Sequence, residues 1–264
     1  MPVGSAKLQL SSLSSPGVAG PRPVRDAATL QRWAPFSIRY FTAWANWQAA
    51  YGCWRVMLPQ EPAPFVWGWG GGTSFAELDL ARRHGCPAAM VCSTDARARL
   101  LERHGITPVD RREFPDLAWS DEADADPTWK SRYRRSEGAF LKRVEQLTGG
   151  RGVSIFLDYI GAPVHQATLK ALGQPGILTT AGWKEGTDVS LRRATECMRR
   201  HVHVHTHAMQ LHHLPEAVAY AQREDWLPPV DGEVWPWEEI PQLARAYAAG
   251  KVASYFPLFQ VNAP

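Results

Sequence analysis

Residues Phe65–Ala81 read FVWGWGGGTSFAELDLA, an apolar run that breaks into glycines at Gly68, Gly70, Gly71 and Gly72 and resumes as a helix near Ser74. A short β-branched and aromatic run, then glycines, then helical periodicity describes a strand, a tight turn and a helix N-terminus. That arrangement is where a doubly wound parallel sheet receives an anionic ligand, because free backbone N–H groups and the helix dipole meet there.

The surrounding chain supports this reading. Pro59, Pro62 and Pro64 deliver the chain extended into the strand, since proline cannot continue a helix and biases its predecessor away from helical geometry. The helix after the turn ends at His84-Gly85, Ala88–Cys92 is a second apolar strand, and a helix over Ala96–Arg103 stops at His104-Gly105. Strand, helix, strand, helix at this spacing is a βαβα series, which predicts a parallel, Rossmann-like α/β sheet with right-handed crossovers. Further on, 115–136 is charged and interrupted, predicting a surface insertion before a helix over Glu137–Leu147. Strands are expected at Val153–Tyr159 and Gly176–Ala181, with helices over Val164–Leu172 and Ser190–Met198. The end of the chain reads as a short strand from Val234, a helix over Ile240–Ala249 and a strand over Tyr255–Val261.

The organisation expected is an arm at 1–28, a helical segment at 29–60, a Rossmann-like domain at 61–213 and a closing C-terminal segment at 214–264. Tyr40, Trp44, Trp47 and Tyr51 fall on one helical stripe, the usual mark of a core face. Of twelve tryptophans, six precede residue 70. This density predicts that Trp33, Trp44 and Trp47 cap a cleft or a dimer seam, because tryptophan is enriched at such surfaces.

With 264 residues, 45% hydrophobic content and a net charge of +3, the chain can bury a sizeable core and lacks the basic footprint of a nucleic-acid binder. No apolar run is long enough to span a bilayer and no secretory leader is legible. Cys53, Cys86, Cys92 and Cys197 are widely spaced without a CxxC, the pattern of reduced thiols in a cytoplasmic protein.

His201, His203, His205 and His207 alternate with Val and Thr, so as a strand all four project from one face. No carboxylate or thiol accompanies them in sequence, so a polar edge-strand face at a dimer seam is expected rather than a metal site. Asp158, Tyr159 and Lys184, with Glu185, lie at strand ends, where a parallel sheet places its ligands.

Several ordered segments resemble the medium-chain dehydrogenase/reductases, and most of all the crotonyl-CoA carboxylase/reductases. They are the helix with Thr42-Ala43-Trp44, the turn VWGWGGGTS, MVCST followed by Asp95 and Arg97, and DRREF at 110–114. DYIGAPVHQATLKAL with GILTTAG, SLRRATECMRR leading into the histidine strand, and the ending EEIPQLARAYAAGK with QVNAP continue the series. The match covers roughly 34–264. The resemblance implies NADPH as cofactor, an enoyl thioester or polyketide-type substrate, and a homodimer joined edge to edge. It implies that Gly70, Gly71, Gly72 and Ser74 lie against the pyrophosphate and that Ser93 and Arg97 meet the 2'-phosphate. By an ungapped reading from Leu191-Arg192, it places the family's carbon dioxide-holding histidine on His205. Only about sixty residues precede the glycine turn, so the family's GroES-like domain is expected only as a reduced remnant. The missing cleft wall would come from a dimer mate, a carrier protein or a second subunit.

Two positions depart from the family turn. Trp69 stands where a small residue is usual, which predicts crowding of the pyrophosphate, and Ser74 stands in place of a packing glycine. These departures keep a second class of function open, a cofactor-independent biosynthetic enzyme catalysing cyclisation, dehydration or isomerisation. A non-catalytic partner subunit is the third reading.

Overall fold

A computed structural model describes residues 27–121, 123–180, 186, 190–206 and 210–261. Six strands form one wholly parallel sheet: β1 Val66–Trp69, β2 Ala88–Cys92, β3 Thr107–Asp110, β4 Val153–Asp158, β5 Leu172–Thr180 and β6 Val202–Thr206. Their order is β3-β2-β1-β4-β5-β6. From β1 the chain first builds outward through β2 and β3, then returns to the other side of β1 with β4. The order therefore reverses between β1 and β4, where ligands of such sheets bind. The doubly wound α/β class expected from the sequence is the observed one.

Alternation along the strands divides the core into two faces. Val66, Met90, Ile155, Leu157, Tyr159 and Ile177 face α2 (Phe41–Met57), α3 (Gly72–Arg83) and α4 (Asp95–Arg103), while Trp67, Trp69, Ala89, Phe156, Leu178 and Val202 face α5 (Pro127–Thr148) and α6 (Ala162–Ala171). Two further helices, α1 (Ala27–Trp33) and α7 (Leu214–Glu224), flank the first face. The chain closes with β7 (Val234–Pro236), α8 (Ile240–Ala248) and β8 (Leu258–Gln260), the two strands forming a small parallel pair.

The aromatic stripe of α2 is core, as its spacing predicts. Trp44 and Trp47 do not cap a seam: both are buried within the chain, Trp44 against Tyr220 and Trp226 and Trp47 stacked on Tyr51. α7, which the sequence reading leaves without an element, covers them. Trp33 packs on Phe36 beside the same core.

Other elements differ from expectation for local reasons. The helix placed at Glu137 begins ten residues earlier at Pro127, because the Asp126 side chain accepts the Thr128 N–H at 2.8 Å and proline presets the first turn. Trp129 and Tyr133 then stack along it with Trp119 edge-on to both, so part of the presumed insertion is packed helix. The segment at Ser190–Met198 is a π-helical stretch at Arg193–Arg199. β3 carries too few apolar residues to declare itself. His201 has φ 52° and lies before β6, so only His203 and His205 share a strand face among the described residues. His207, Lys184 and Glu185 lie outside them.

Candidate nucleotide site at the strand-order switch

The glycine turn sits at the carboxyl end of β1, directly at the switch. Gly70 has φ 129°, and a Cβ there would meet Ser74 Oγ at 2.5 Å and Tyr159 Cβ at 3.1 Å. Gly71 has nothing within 4 Å of a Cβ, leaving open space over the start of α3. No side chain caps α3, so its leading N–H groups face that opening, as an anion requires. Ser74 Oγ donates to the Trp69 carbonyl at 2.6 Å, tying the first turn of the helix to the strand.

Trp69 does not crowd this opening. Its side chain belongs to the α5/α6 face, packs on Phe140 and Phe156, and donates its indole N–H to Thr168 Oγ1 at 2.7 Å. A strand residue projects to one face of the sheet only, and α3 lies on the other. The crowding predicted from residue volume is therefore replaced by a structural role beneath the turn.

Gly72 is backed from the side. A Cβ there would strike Phe256 Cε1 and the Tyr255 carbonyl, each at 2.8 Å. Arg39 donates to that same carbonyl. The segment Val252–Phe256 thus runs along the first turn of α3, with Tyr255 stacked on Phe75.

One strand over, Ser93 is exposed and Thr94 caps α4 by accepting the Arg97 N–H at 3.3 Å. Asp95 is paired with Arg112 at 2.7 Å, and Arg112 also grips Asp110 at 2.6 Å. That guanidinium holds the Asp110 carboxyl below its usual range, chiefly by hydrogen bonding. Among the described residues no carboxylate pairs with Arg97. Its Nε and Nη2 instead donate to the carbonyls of Ala253 and Val252 at 2.9 and 3.0 Å.

Beneath the switch lies a buried polar cluster that sequence reading misses. Asn46 of α2 places Nδ2 within 3.0 and 3.1 Å of the two Glu77 carboxyl oxygens and 3.0 Å from the Tyr159 hydroxyl. Tyr159 donates to Glu77 at 2.6 Å, and Thr179 donates to the Asn46 carbonyl oxygen at 2.7 Å. Among the described residues no cation accompanies Glu77, and burial pushes its carboxyl up to about 8 against the pull of its hydrogen bonds. The signal available was a lone Glu on the inner side of SFAELDLA, a pattern that also fits an exposed helix position.

Asp158 and Tyr159, adjacent in sequence, are separated by the sheet. Asp158 accepts the Ile160 and Gly161 N–H groups at 3.0 Å each and lies 3.2 Å from Thr168 Oγ1. It shapes the turn into α6, and burial raises its carboxyl above the usual range. His205 pairs in register with Thr179 on the α2 side; its Nε2 is buried without a partner, and burial lowers its proton affinity. The structure thus brings His205, Thr179 and Tyr159 to one face of the sheet and sets Asp158 on the other. The four cysteines are free thiols, with Cys86 pushed up to about 12 by burial. The described residues hold no cluster of ligands suited to a metal, and no helix among them is long and apolar enough to cross a membrane.

A cavity of about 420 Å³ opens on the other side of the sheet, lined in part by Trp119, Lys170, Arg192 and Arg200. Its cations are largely engaged: Lys170 pairs with Glu137 at 2.6 Å and Arg200 donates to the carbonyls of Leu169 and Leu172. The open glycine turn is the better placed site.

The sheet order and the glycine turn are those of the fold found in solved medium-chain dehydrogenase/reductases. In sequence the chain is similar to the crotonyl-CoA reductase of Streptomyces collinus, with 27% identity over 131 residues, 49% of this chain and 28% of the relative. A solved variant of the crotonyl-CoA carboxylase/reductase AntE in complex with NADP superposes with a TM-score of 0.69 at 21% identity, covering 88% of this chain and 57% of that one. An alcohol dehydrogenase from the archaeon Aeropyrum pernix gives a TM-score of 0.64 at 21% identity, over 87% and 58% of the two chains. The sequence match spans little more than a quarter of the curated relative. No protein-family model matches the chain.

Proposed function

We propose that the protein is an NADPH-dependent reductase of an enoyl thioester or polyketide-type intermediate. The observation that carries this reading is the open Gly71 position at an uncapped helix start, with an unneutralised Arg97 one strand away. Gly70, Gly71 and Gly72 would hold the pyrophosphate through backbone N–H groups, and Ser93 and Arg97 the 2'-phosphate. When bound, NADPH supplies the hydride for the β carbon of the enoyl group. His205, whose Nε2 has no hydrogen-bond partner, would provide the proton for the α carbon. Tyr159 and Asn46 hold the floor of the crevice.

A second copy of the chain completes the cleft in this reading. Among the described residues β6 is paired on one side only, and Val204 on it is 42% exposed, so an edge-to-edge dimer is the proposed assembly. The alternative, a cofactor-independent biosynthetic enzyme or partner subunit, draws support from the Tyr255 and Phe256 packing that narrows the approach beside Gly72.

Titration of the purified protein with NADPH, read by tryptophan emission and calorimetry with NADH as control, tests the choice. Micromolar binding of NADPH supports the reductase. Absence of binding at millimolar cofactor overturns it and leaves the non-redox reading.

A further inference from the structure

We infer that Tyr255, with the backbone carbonyls of Val252 and Ala253, is the positioning element that aims Arg97 at a 2'-phosphate, so that discrimination between NADPH and NADH is set from the C-terminal segment. The inference rests on the nucleotide-binding reading above and adds to it the residue that controls specificity.

The arrangement around Arg97 is built rather than incidental. Its guanidinium carbon lies 4.8 Å from the Tyr255 ring centroid, and the same ring is stacked on Phe75, 5.6 Å away at 26°. The tyrosine is thus held between the first turn of α3 and the guanidinium from α4. Two N–H groups on the Nε–Nη2 edge are taken by neutral carbonyls. A guanidinium has five such donors, so three remain, on Nη1 and the outer side of Nη2. That end-on pair is a geometry suited to a phosphate, and a neutral acceptor set leaves the full positive charge for it.

The nearest acid on the same helix is removed from competition. Asp95 is engaged through one carboxylate oxygen by Arg112, so its charge is met there and not by Arg97. Arginine side chains lose considerable rotamer entropy when they bind. Here the stack on Tyr255 and the two carbonyls have already fixed the rotamer, and the phosphate meets a prepared donor.

The test is the ratio of NADPH to NADH affinity in the whole protein, measured by calorimetry for wild type, Tyr255→Leu, Tyr255→Phe and Arg97→Lys. Positioning predicts that Tyr255→Leu loses roughly tenfold in NADPH affinity with NADH affinity unchanged. Tyr255→Phe keeps the wild-type ratio because the ring face is retained, and Arg97→Lys behaves as Tyr255→Leu. In wild type, hydrogen exchange at residues 252–256 is slowed by NADPH more than by NADH, a readout that needs no variant. An unchanged ratio in Tyr255→Leu overturns the inference while the cofactor reading stands. Tighter NADPH binding in that variant also overturns it, showing that the segment competes with the nucleotide. If wild type binds neither cofactor, the cofactor reading and this inference fall together.

Discussion

The Trp69 indole N–H donates to Thr168 Oγ1 at 2.7 Å on the side of the sheet opposite the helix that starts at Gly72. The residue that most disturbs the glycine motif on paper therefore serves the α6 face. Trp69→Ala removes a side chain packed on Phe140 and Phe156, and about 3–5 kcal/mol of stability is expected to go with it. Trp69→Phe should lose about 1 kcal/mol, chiefly the hydrogen bond, and should bind NADPH as wild type does. Urea denaturation and the cofactor titration check both; a tighter complex in Trp69→Phe would restore the crowding idea.

Gly70 and Gly71 separate folding from binding. Gly70→Ala forces a side chain into φ 129° and against Ser74, and a loss of about 1–3 kcal/mol is expected. Gly71→Ala has room in the folded protein and should leave the melting temperature nearly unchanged, while weakening NADPH by roughly tenfold where the pyrophosphate approaches. Thermal melts paired with titrations read the two effects; equal cofactor affinity in Gly71→Ala would mean that the opening is not the nucleotide site.

Glu77 makes stability fall as pH rises. Its folded carboxyl is raised from 4.5 to about 8, so between these values the folded state keeps a proton that the unfolded chain releases. The contribution is complete below the unfolded value and is lost as pH climbs through the folded one. The slope from this group is at most about 1.4 kcal/mol per pH unit. Glu77→Gln should flatten the urea midpoint between about pH 5.5 and about pH 8.5. A variant with the wild-type pH dependence would show that Glu77 is not the group responsible.

At β6 the expected assembly is a dimer whose seam contains Val204. Light scattering of wild type should give twice the chain mass, and Val204→Lys should give the monomer by placing a charge on the joining edge. A monomeric wild type at micromolar concentration removes the edge-to-edge proposal.

The parallel sheet was legible because its strands are short apolar runs bounded by glycine and proline, and because FVWGWGGGTSFAELDLA can hardly be anything but a strand, a turn and a helix start. Helix α2 was legible from the spacing of Trp44, Trp47 and Tyr51, a stripe that Tyr40 begins in the turn just before it. The start of α5 was not, since Asp126-Pro127 looks like a turn until the Asp126 side chain is seen to accept the Thr128 N–H. Nor was α7, whose burial of Trp44 beside Trp226 and Tyr220 depends on residues distant in the chain.

Local residue order by itself determined the class of fold and the location of the glycine turn, because periodicity and glycine conformation act over a few neighbours. Which face each side chain serves was decided only in three dimensions. Trp69 goes down to Thr168, Asp158 and Tyr159 part to opposite sides, and Arg97 meets carbonyls 155 and 156 residues away. The cluster of Asn46, Glu77, Tyr159 and Thr179 has the same origin. Helices α2 and α3, strand β5 and the residue just after β4 each contribute one polar group, and only their packing together removes water and makes each group the partner the others require.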